Sequence, residues 1–358
     1  MKSFKKALGR LTQCLFYYLN FMKRLLLIVI IVWSLPLSGQ VITGTVYDAV
    51  SQAAIEGVTI YLDGTNIGTI SNLEGVFNLD TSEAPNASIV VRHLGYSTQV
   101  FSVSKFASPL DIYLEENPNV LNEVVVEADP WSRAKKMRIF KSEFLGKTNA
   151  SKYCRILNED DIRLQYIPST QTLVAYTDNP IIIKNSYLGY TVEYSMHDFE
   201  VEFTSGTSGL QFPYKVYHAG TSYFKELHRR TKKKQLLNRN STYKGSLIHF
   251  MSALKNRTLT ENNFTIYYER FPVPPYRYFQ ISATEDNGAE IIMRVDKVSI
   301  LYDQTYQSTL SYHNGNNKIF IDINGNHSPP DGLLVGGDFG LKRISNMLPL
   351  NYKPEVKQ

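Results

Sequence analysis

The amino-terminal fold is decided by residues 41–79, VITGTVYDAVSQAAIEGVTIYLDGTNIGTISNLEGVFNL. Short runs of alternating apolar and polar residues are separated by turn-forming pairs such as Asp63-Gly64 and Glu74-Gly75. Such alternation is typical of strands with one buried face, and the pairs are typical of hairpin turns. The sequence therefore predicts a small, seven-stranded antiparallel β-sandwich, with its clearest strands at 41–47, 58–62, 76–79, 88–94, 99–103 and 110–114.

Five groups of residues follow one another in a distinctive order: Ile42-x-Gly44-x-Val46-x-Asp48, Ile55-x-Gly57-Val58, Gly64-Thr65-x-x-Gly68-Thr69, Asn72-x-x-Gly75-x-Phe77 and Leu94-Gly95-Tyr96. This order resembles the carboxypeptidase-regulatory-like domain, a transthyretin-like sandwich common in exported proteins of Bacteroidota. Asn72 departs from the Asp that the family often has, and a turn accepts either residue. In the resembled peptidases the sandwich accompanies a separate catalytic domain, so the resemblance implies no catalytic residue in the sandwich.

A basic start, a short apolar run and a small-residue exit occur in that order near the amino terminus. They are MKR at residues 22–24, the apolar run 25–33, and SLPLSGQ at residues 34–40. The order is typical of a secretory signal, and the run has about half of the ~20 apolar residues that a membrane-spanning helix needs. We therefore expect residues 1–39 to be a signal peptide with an upstream extension, and Met22 to be the true start. The resulting protein is expected in the periplasm or at the outer membrane.

Charge and cysteine content limit the classes of function. The sequence carries 38 Lys and Arg against 33 Asp and Glu, but its first 39 residues hold six bases and no acid. The remainder is nearly neutral, which argues against nonspecific nucleic-acid binding. Cys154 is the one cysteine after the predicted leader, so no intramolecular disulfide is expected.

A polar linker, residues 116–130, is predicted between the sandwich, residues 40–115, and a second domain, residues 131–358. Residues 121–128, LNEVVVEA, resemble the segment that follows the same sandwich in TonB-dependent outer-membrane receptors. The 228 residues after Pro130 are too few for the transporter part of such a receptor. We therefore expect this chain to contain the β-sandwich that such receptors share, but not their membrane-spanning transporter.

The second domain is predicted to be β-rich α+β. A helix is expected over 133–145, and Ser246 is placed to cap another helix whose apolar residues recur at helical spacing. The region resembles an uncharacterised one found behind the same sandwich in other Bacteroidota proteins, most distinctly at 140–146, FKSEFLG, and 343–350, RISNMLPL. Strands are predicted at 163–167, 172–176, 181–183, 187–194, 199–203, 264–269, 276–282, 291–295 and 319–323.

His197 and Glu200 have the H-x-x-E spacing of a zinc carboxypeptidase pair and are weak metal candidates. A catalytic zinc needs a third protein ligand, and nothing in the sequence singles out another histidine for that role. Alternation along a strand would also send the two side chains to opposite faces. Cys154 is expected to be a small buried residue and not a nucleophile. The sequence therefore predicts no catalytic residue, no metal and no cofactor.

The most basic stretch contains Arg229, Arg230, Lys232, Lys233 and Lys234. One interpretation is contact with phosphate-bearing lipid or lipopolysaccharide at a membrane face. The other is a solvated loop or helix end, the commoner role of charge runs. The many tyrosines of the second domain leave a similar choice, because Tyr suits both a glycan- or peptide-binding groove and an ordinary strand.

Two functions from different classes fit these features. The favoured hypothesis is a non-enzymatic, exported cell-envelope protein, with the sandwich as an interaction module and the second domain binding a partner or ligand. The alternative is a periplasmic hydrolase or peptidase whose catalytic unit is the second domain. A cleft with a metal, or with a nucleophile and base within hydrogen-bond reach, would favour the alternative. The sequence leaves the ligand and the oligomeric state open.

Overall fold

The computed structural model describes residues 41–84, 87–102, 109–116, 127–205, 211–284, 287–313, 315, 317–329 and 332–354. Strands dominate this part of the chain, which confirms the predicted mainly β fold. The expected leader, residues 1–39, and residues 117–126 of the expected linker lie outside the described residues. Within the described ranges, none of the helices combines the length and apolar character needed to cross a bilayer.

Seven strands form the amino-terminal sandwich: β1 (Val41–Asp48), β2 (Thr59–Leu62), β3 (Gly68–Ile70), β4 (Val76–Asp80), β5 (Ser88–Arg92), β6 (Gln99–Ser102) and β7 (Leu110–Leu114). They make two sheets, in the orders β4-β1-β7 and β3-β2-β5-β6. Along β1 every second residue is buried, as the alternation predicts, so that Ile42 and Val46 enter the core with Phe77. One hydrophobic cluster therefore holds both sheets together.

The pairing of β1 with β7 corrects one expectation. The sequence predicted antiparallel strands throughout, but these two strands are parallel, with Val46 opposite Ile112. They are the first and last strands of the sandwich, with five strands between them in the chain. No hairpin turn joins them, so no turn geometry fixes their relative direction.

A separate sheet of six strands and a second hydrophobic core follow the linker. Their elements are α1 (Arg133–Leu145), β8 (Cys154–Ile156), β9 (Arg163–Ile167), β10 (Thr172–Tyr176), β11 (Ile181–Asn185), β12 (Tyr190–Ser205) and β13 (Gln211–Glu226), with short 3₁₀ helices at Ala150–Tyr153 and Glu159–Asp161. The order is β8-β11-β12-β10-β9, and β13 pairs with β12 as a long hairpin. Phe140 and Phe144 of α1 pack against Phe199 of β12 in its core. This core belongs to the first half of the predicted second domain.

A third core lies farther along the chain. The helix before it, α2 (Lys233–Tyr243), packs against the second core through Tyr243. The third core is built from α3 (Leu247–Lys255), β14 (Phe264–Tyr268), β15 (Phe271–Val273), β16 (Phe279–Ala283), β17 (Ala289–Met293), β18 (Lys297–Tyr302), β19 (Tyr306–Tyr312), β20 (Ile319–Ile321), β21 (His327–Ser328), β22 (Leu333–Gly337) and α4 (Asp338–Leu341). Two sheets, β15-β14-β18-β19-β22 and β16-β17-β20-β21, enclose Phe250 and Leu254 of α3. The segment predicted as one domain therefore contains two hydrophobic cores.

Several predicted elements are confirmed, and several are new, among them β8, β13, β18, β19 and β22. The helix at 133–145 and the strands at 163–167 and 172–176 have the expected bounds. The Ser246 hydroxyl caps α3 by accepting a hydrogen bond from the His249 N–H at 3.1 Å. β13 was not predicted, because Pro213 and Gly220 interrupt its pattern and two bulges shift its register against β12.

Candidate functional site

The sandwich docks on the second domain through the turn after β2. The Gly64 N–H donates to the carbonyl of Ser222 at 2.7 Å, and the Phe224 N–H donates to the carbonyl of Thr65 at 2.9 Å. The Asp63 carboxylate accepts from the Ser222 N–H at 2.7 Å. The turn therefore hydrogen-bonds to the outer edge of β13, which covers this part of an otherwise open strand edge.

Aromatic packing supports the same junction. The rings of Tyr61 and Tyr223 stack with their centroids 4.9 Å apart, and the Tyr61 hydroxyl lies 3.2 Å from Oγ1 of Thr221. A Cβ atom on Gly68 would lie 2.7 Å from the Tyr223 hydroxyl oxygen, closer than real Cβ contacts allow. The glycines of the Gly64-Thr65-x-x-Gly68 motif thus permit close approach between the two domains.

Charged groups also meet at this junction. Arg92 of the sandwich pairs with Glu193 of β12 at 2.8 Å, and Lys225 pairs with the same carboxylate. Burial raises the pKa of Asp63 to about 6, although its backbone hydrogen bonds and the nearby His197 favour the charged form. Asp63 is therefore a carboxylate held at the junction at some electrostatic cost near neutral pH.

The carboxyl-terminal segment, residues 341–352, makes a second set of contacts with the sandwich. The Leu350 N–H donates to the Gly64 carbonyl at 2.8 Å, and the Leu350 side chain packs where a Cβ atom on Gly64 would lie. The Asn351 amide donates to Asn66 and to Glu83, both at 2.9 Å. The carboxyl-terminal segment therefore contacts the sandwich at Gly64, Asn66 and Glu83.

The two distinctive stretches of the second domain, 140–146 and 343–350, lie in contact. Arg343 donates to the carboxylate of Glu143 at 2.8 Å and also to the Glu143 carbonyl. Asn185 of β11 donates to the Ser345 carbonyl at 2.9 Å. Glu143 is almost fully buried, so Arg343 supplies a counter-charge that the fold requires. These stretches have a structural role in closing the second core.

His197 and Glu200, the weak metal candidates, have different surroundings. His197 is the extra residue of a bulge in β12, next to Asp198 and near Asp63. Burial raises the pKa of Glu200, and the nearby carboxylates of Asp198 and Glu202 raise it further. Among the described residues, no three His, Cys, Asp or Glu side chains are grouped so that they could hold a metal.

Other reactive side chains of the second domain are buried or half-buried and take part in packing. His218 lies beside the Tyr194 hydroxyl, and burial lowers its pKa to about 4. Nδ1 of His249 accepts from the Gly245 N–H at 3.0 Å, which fixes the turn before α3. Burial raises the pKa of the Cys154 thiol to about 12, which suppresses the nucleophilic thiolate.

The tyrosines of the second domain are spread over several places. Tyr190 and Tyr194 are buried in the second core, and Tyr223 lies under the sandwich. Tyr268, on β14, and Tyr278, just before β16, pack together with ring centroids 4.7 Å apart. These five residues therefore do not line a common groove.

Two clefts in the described part of the chain lie away from the five cations singled out in the sequence. One, of about 450 Å³, lies on the sandwich beside Asp48 and Tyr96. The other, of about 610 Å³, lies beside Lys255 and Arg257 of the second domain. Neither is lined by any of the five cations singled out in the sequence.

The basic cluster, defined as Arg229, Arg230, Lys232, Lys233 and Lys234, is the candidate binding surface. All five side chains are exposed. The ion pairs within the described ranges include none to these residues. The three lysines also lie at the start of α2, whose first turn has no acidic residue although helix dipoles favour acids there. The cluster therefore concentrates positive charge that the fold leaves uncompensated.

Arg239 shows how the fold treats a cation on the inner face of α2. Its guanidinium binds both carboxylate oxygens of Glu226, at 3.0 and 2.8 Å, and donates to the Leu188 carbonyl at 2.7 Å. It also stacks on the Tyr190 ring at 3.7 Å. Glu226 is the last residue of β13, so Arg239 anchors α2, and with it the basic cluster, to the hairpin that carries the sandwich.

Comparison with known proteins supports the amino-terminal assignment. The family model of the CarboxypepD_reg-like domain matches residues 42–126. This range spans the sandwich strands and ends before α1, so the matching part of the chain is the β-sandwich module. No curated protein matches the chain.

Some residues of these sites could not be identified from the sequence. Asp63 was recognised as a turn residue, but its contact with β13 depends on a strand that the pattern did not predict. Glu143 was part of a distinctive stretch, yet its partner Arg343 is 200 residues away. The basic cluster was visible because all five cations lie within six consecutive positions.

Proposed function

We propose that the chain is an exported, non-enzymatic cell-envelope protein of Bacteroidota. In this proposal the sandwich is an interaction module that fixes the second domain, and the second domain binds an anionic partner through the basic cluster. The cluster is positioned by β13, which contacts the sandwich near Ser222 and anchors α2 at Glu226.

The observation that carries this proposal is the contrast between Arg239 and the basic cluster. Arg239, on the inner face of α2, is neutralised by a bidentate ion pair. The five cations on the outer side are exposed and have no ion pair with a described carboxylate. Unpaired cations at this density repel one another, and an anionic partner would relieve that repulsion.

The test is retention of purified residues 40–358 on phosphocellulose, measured as the salt concentration needed for elution. The test variant changes all five cations of the basic cluster to Gln. The control variant makes the same change in net charge at five exposed cations elsewhere, none with a described ion pair: Arg138, Lys152, Arg155, Lys184 and Lys297.

We expect the cluster variant to elute at much lower salt than the control variant, because only the cluster concentrates its charge. Thermal unfolding of both variants checks that they remain folded. Equal elution of the two variants would contradict a localised anion-binding surface.

Two further measurements address the non-enzymatic and exported parts of the proposal. Elemental mass spectrometry and a general peptidase assay are applied to the same purified protein. Stoichiometric zinc together with peptide cleavage would overturn the non-enzymatic part. Fractionation of cells making the tagged full chain should recover the protein in the envelope or periplasm with an amino terminus near residue 40, and recovery in the cytoplasm would overturn export.

A further inference from the structure

The outer face of α2 combines charge with an exposed apolar side chain. Lys233 and Lys234 precede Leu237 by four and three positions, so the three side chains share one face of the helix. Leu237 is 50% exposed. Gln235 and Arg239 are buried on the opposite face, which contacts the rest of the protein. The exposed face of α2 therefore has two cations, Lys233 and Lys234, in its first turn and the apolar side chain of Leu237 one turn later.

From this arrangement we infer that the anionic partner of the basic cluster is a phosphate-bearing lipid bilayer. The cations bind lipid phosphates, and Leu237 enters the headgroup region between them. Lys and Arg can keep their charged ends at the phosphate level while their alkyl stems lie against apolar surface. This inference rests on the proposed function and names the ligand of the same surface.

The shape of the surface favours a bilayer over a small anion. A site for one phosphate needs donors that converge on a single point, usually in a concave pocket. The cluster instead runs along residues 229–234 on an exposed loop and helix start, and it lines neither of the two clefts. A soluble polyanion would complement the charges but would leave Leu237 in water.

The charge around the cluster is also compatible with an anionic surface. Between Glu226 and Glu261 the sequence contains no acidic residue. The carboxylate of Glu226 itself is occupied by Arg239 and by the Thr231 hydroxyl. An approaching layer of lipid phosphates therefore meets no free carboxylate from this segment. Residues 40–358 carry 32 Lys and Arg against 33 Asp and Glu, so the chain without the five cluster cations is net negative. The basic cluster is therefore the local source of attraction for an anionic surface.

The experiment is co-sedimentation of residues 40–358 with two kinds of vesicle, phosphatidylcholine alone and phosphatidylcholine mixed with phosphatidylglycerol. We expect binding to the mixed vesicles that falls with salt, and little binding to phosphatidylcholine alone. Replacing the cluster cations with Gln should weaken partition of the protein onto the mixed vesicles by about fivefold for each cation replaced.

Leu237→Ser separates a bilayer from a soluble polyanion. It should weaken binding to mixed vesicles by about fivefold, because the lost burial of apolar surface is partial, and leave retention on phosphocellulose unchanged. Leu334→Ser is the matched control, since Leu334 is 46% exposed on β22 and should affect neither measurement.

Retention on phosphocellulose without vesicle binding, or vesicle binding insensitive to Leu237→Ser, would overturn the bilayer inference and leave the anion-binding proposal standing. Vesicle binding that survives neutralisation of the cluster would overturn the inference as well. If the unmodified protein is neither retained on phosphocellulose nor bound by the mixed vesicles, both the anion-binding proposal and the bilayer inference are wrong.

Discussion

The carboxylate of Asp63 lies against the backbone of Ser222, whose N–H donates to Oδ1 at 2.7 Å. The two residues are 159 positions apart, and their contact joins a turn of the sandwich to the edge of β13. Gly64 and Thr65, the next two residues, continue the contact through their backbones. The Asp-Gly pair that marks a turn in the sequence therefore also serves as the docking point between two domains.

Asp63→Asn should stabilise the protein near neutral pH. The folded pKa, about 6, exceeds the ordinary value of 3.8, so the folded chain binds this proton more tightly than the unfolded chain. The contribution of Asp63 to stability is therefore greatest below the ordinary pKa and is lost as pH rises through 6. Asn keeps the accepting oxygen without the charge, which should raise the free energy of unfolding by on the order of 1–2 kcal/mol at ~pH 7.

Urea unfolding of Asp63→Asn and wild type at several pH values measures this effect. The difference between them should shrink as pH falls from about 6 towards the ordinary pKa of Asp, and it should be smallest below that pKa. Asp111→Asn, at an exposed position of β7, is the control and should show little difference at any pH. Destabilisation by Asp63→Asn at neutral pH would mean that the negative charge itself supports the junction.

Gly64→Ala should destabilise the protein more than Gly57→Ala. Both glycines have left-handed backbones, with φ of +72° and +75°, so each substitution adds about 1 kcal/mol of backbone strain. A Cβ atom on Gly64 would also lie 2.6 Å from the Leu350 side chain, whereas nothing lies within 4 Å of one on Gly57. The extra cost at Gly64 should be about 1–3 kcal/mol.

A double-mutant cycle checks the origin of that extra cost. Leu350→Ala removes the clashing side chain, so it should cost less in the Gly64→Ala background than in wild type. Strictly additive free energies of unfolding would show that the strain at Gly64 does not come from Leu350.

Arg343→Ala should be strongly destabilising, and Lys147→Ala should not. Both side chains pair with Glu143, at 2.8 and 2.7 Å, but the Arg343 side chain is 18% exposed and that of Lys147 is 47% exposed. Removing the buried partner leaves a buried carboxylate poorly compensated, at a cost of about 3–5 kcal/mol, whereas an exposed pair contributes about 0–1 kcal/mol. Urea unfolding distinguishes the two variants, and similar losses would show that Lys147 shares the role of Arg343.

Cys154 should react slowly with a thiol reagent in the folded protein. With a pKa of about 12, on the order of one thiol in ten thousand is ionised at ~pH 8, and the thiolate is the reactive form. Reaction of residues 40–358 with a chromogenic disulfide should therefore be slow until urea unfolds the chain. Fast stoichiometric reaction without urea would reveal an accessible thiolate and would reopen the nucleophile interpretation.

The sequence by itself determined those features that depend on local patterns. Alternating residues and turn pairs predicted the sandwich, and the cap residue Ser246 predicted the start of α3. The basic cluster was equally visible, because five cations in six positions need no knowledge of the fold. In each case the physical cause acts over a few residues, through side-chain alternation, helix capping or adjacent charge.

The tertiary structure decided the features that join distant parts of the chain. The parallel pairing of β1 with β7, the docking of Asp63 on β13 and the burial of Glu143 against Arg343 all unite residues far apart in sequence. No periodic pattern encodes these contacts, because each depends on the packing of whole elements. The uncompensated state of the basic cluster also depends on the tertiary structure, because Glu226 pairs with Arg239 while the outer five cations stay exposed.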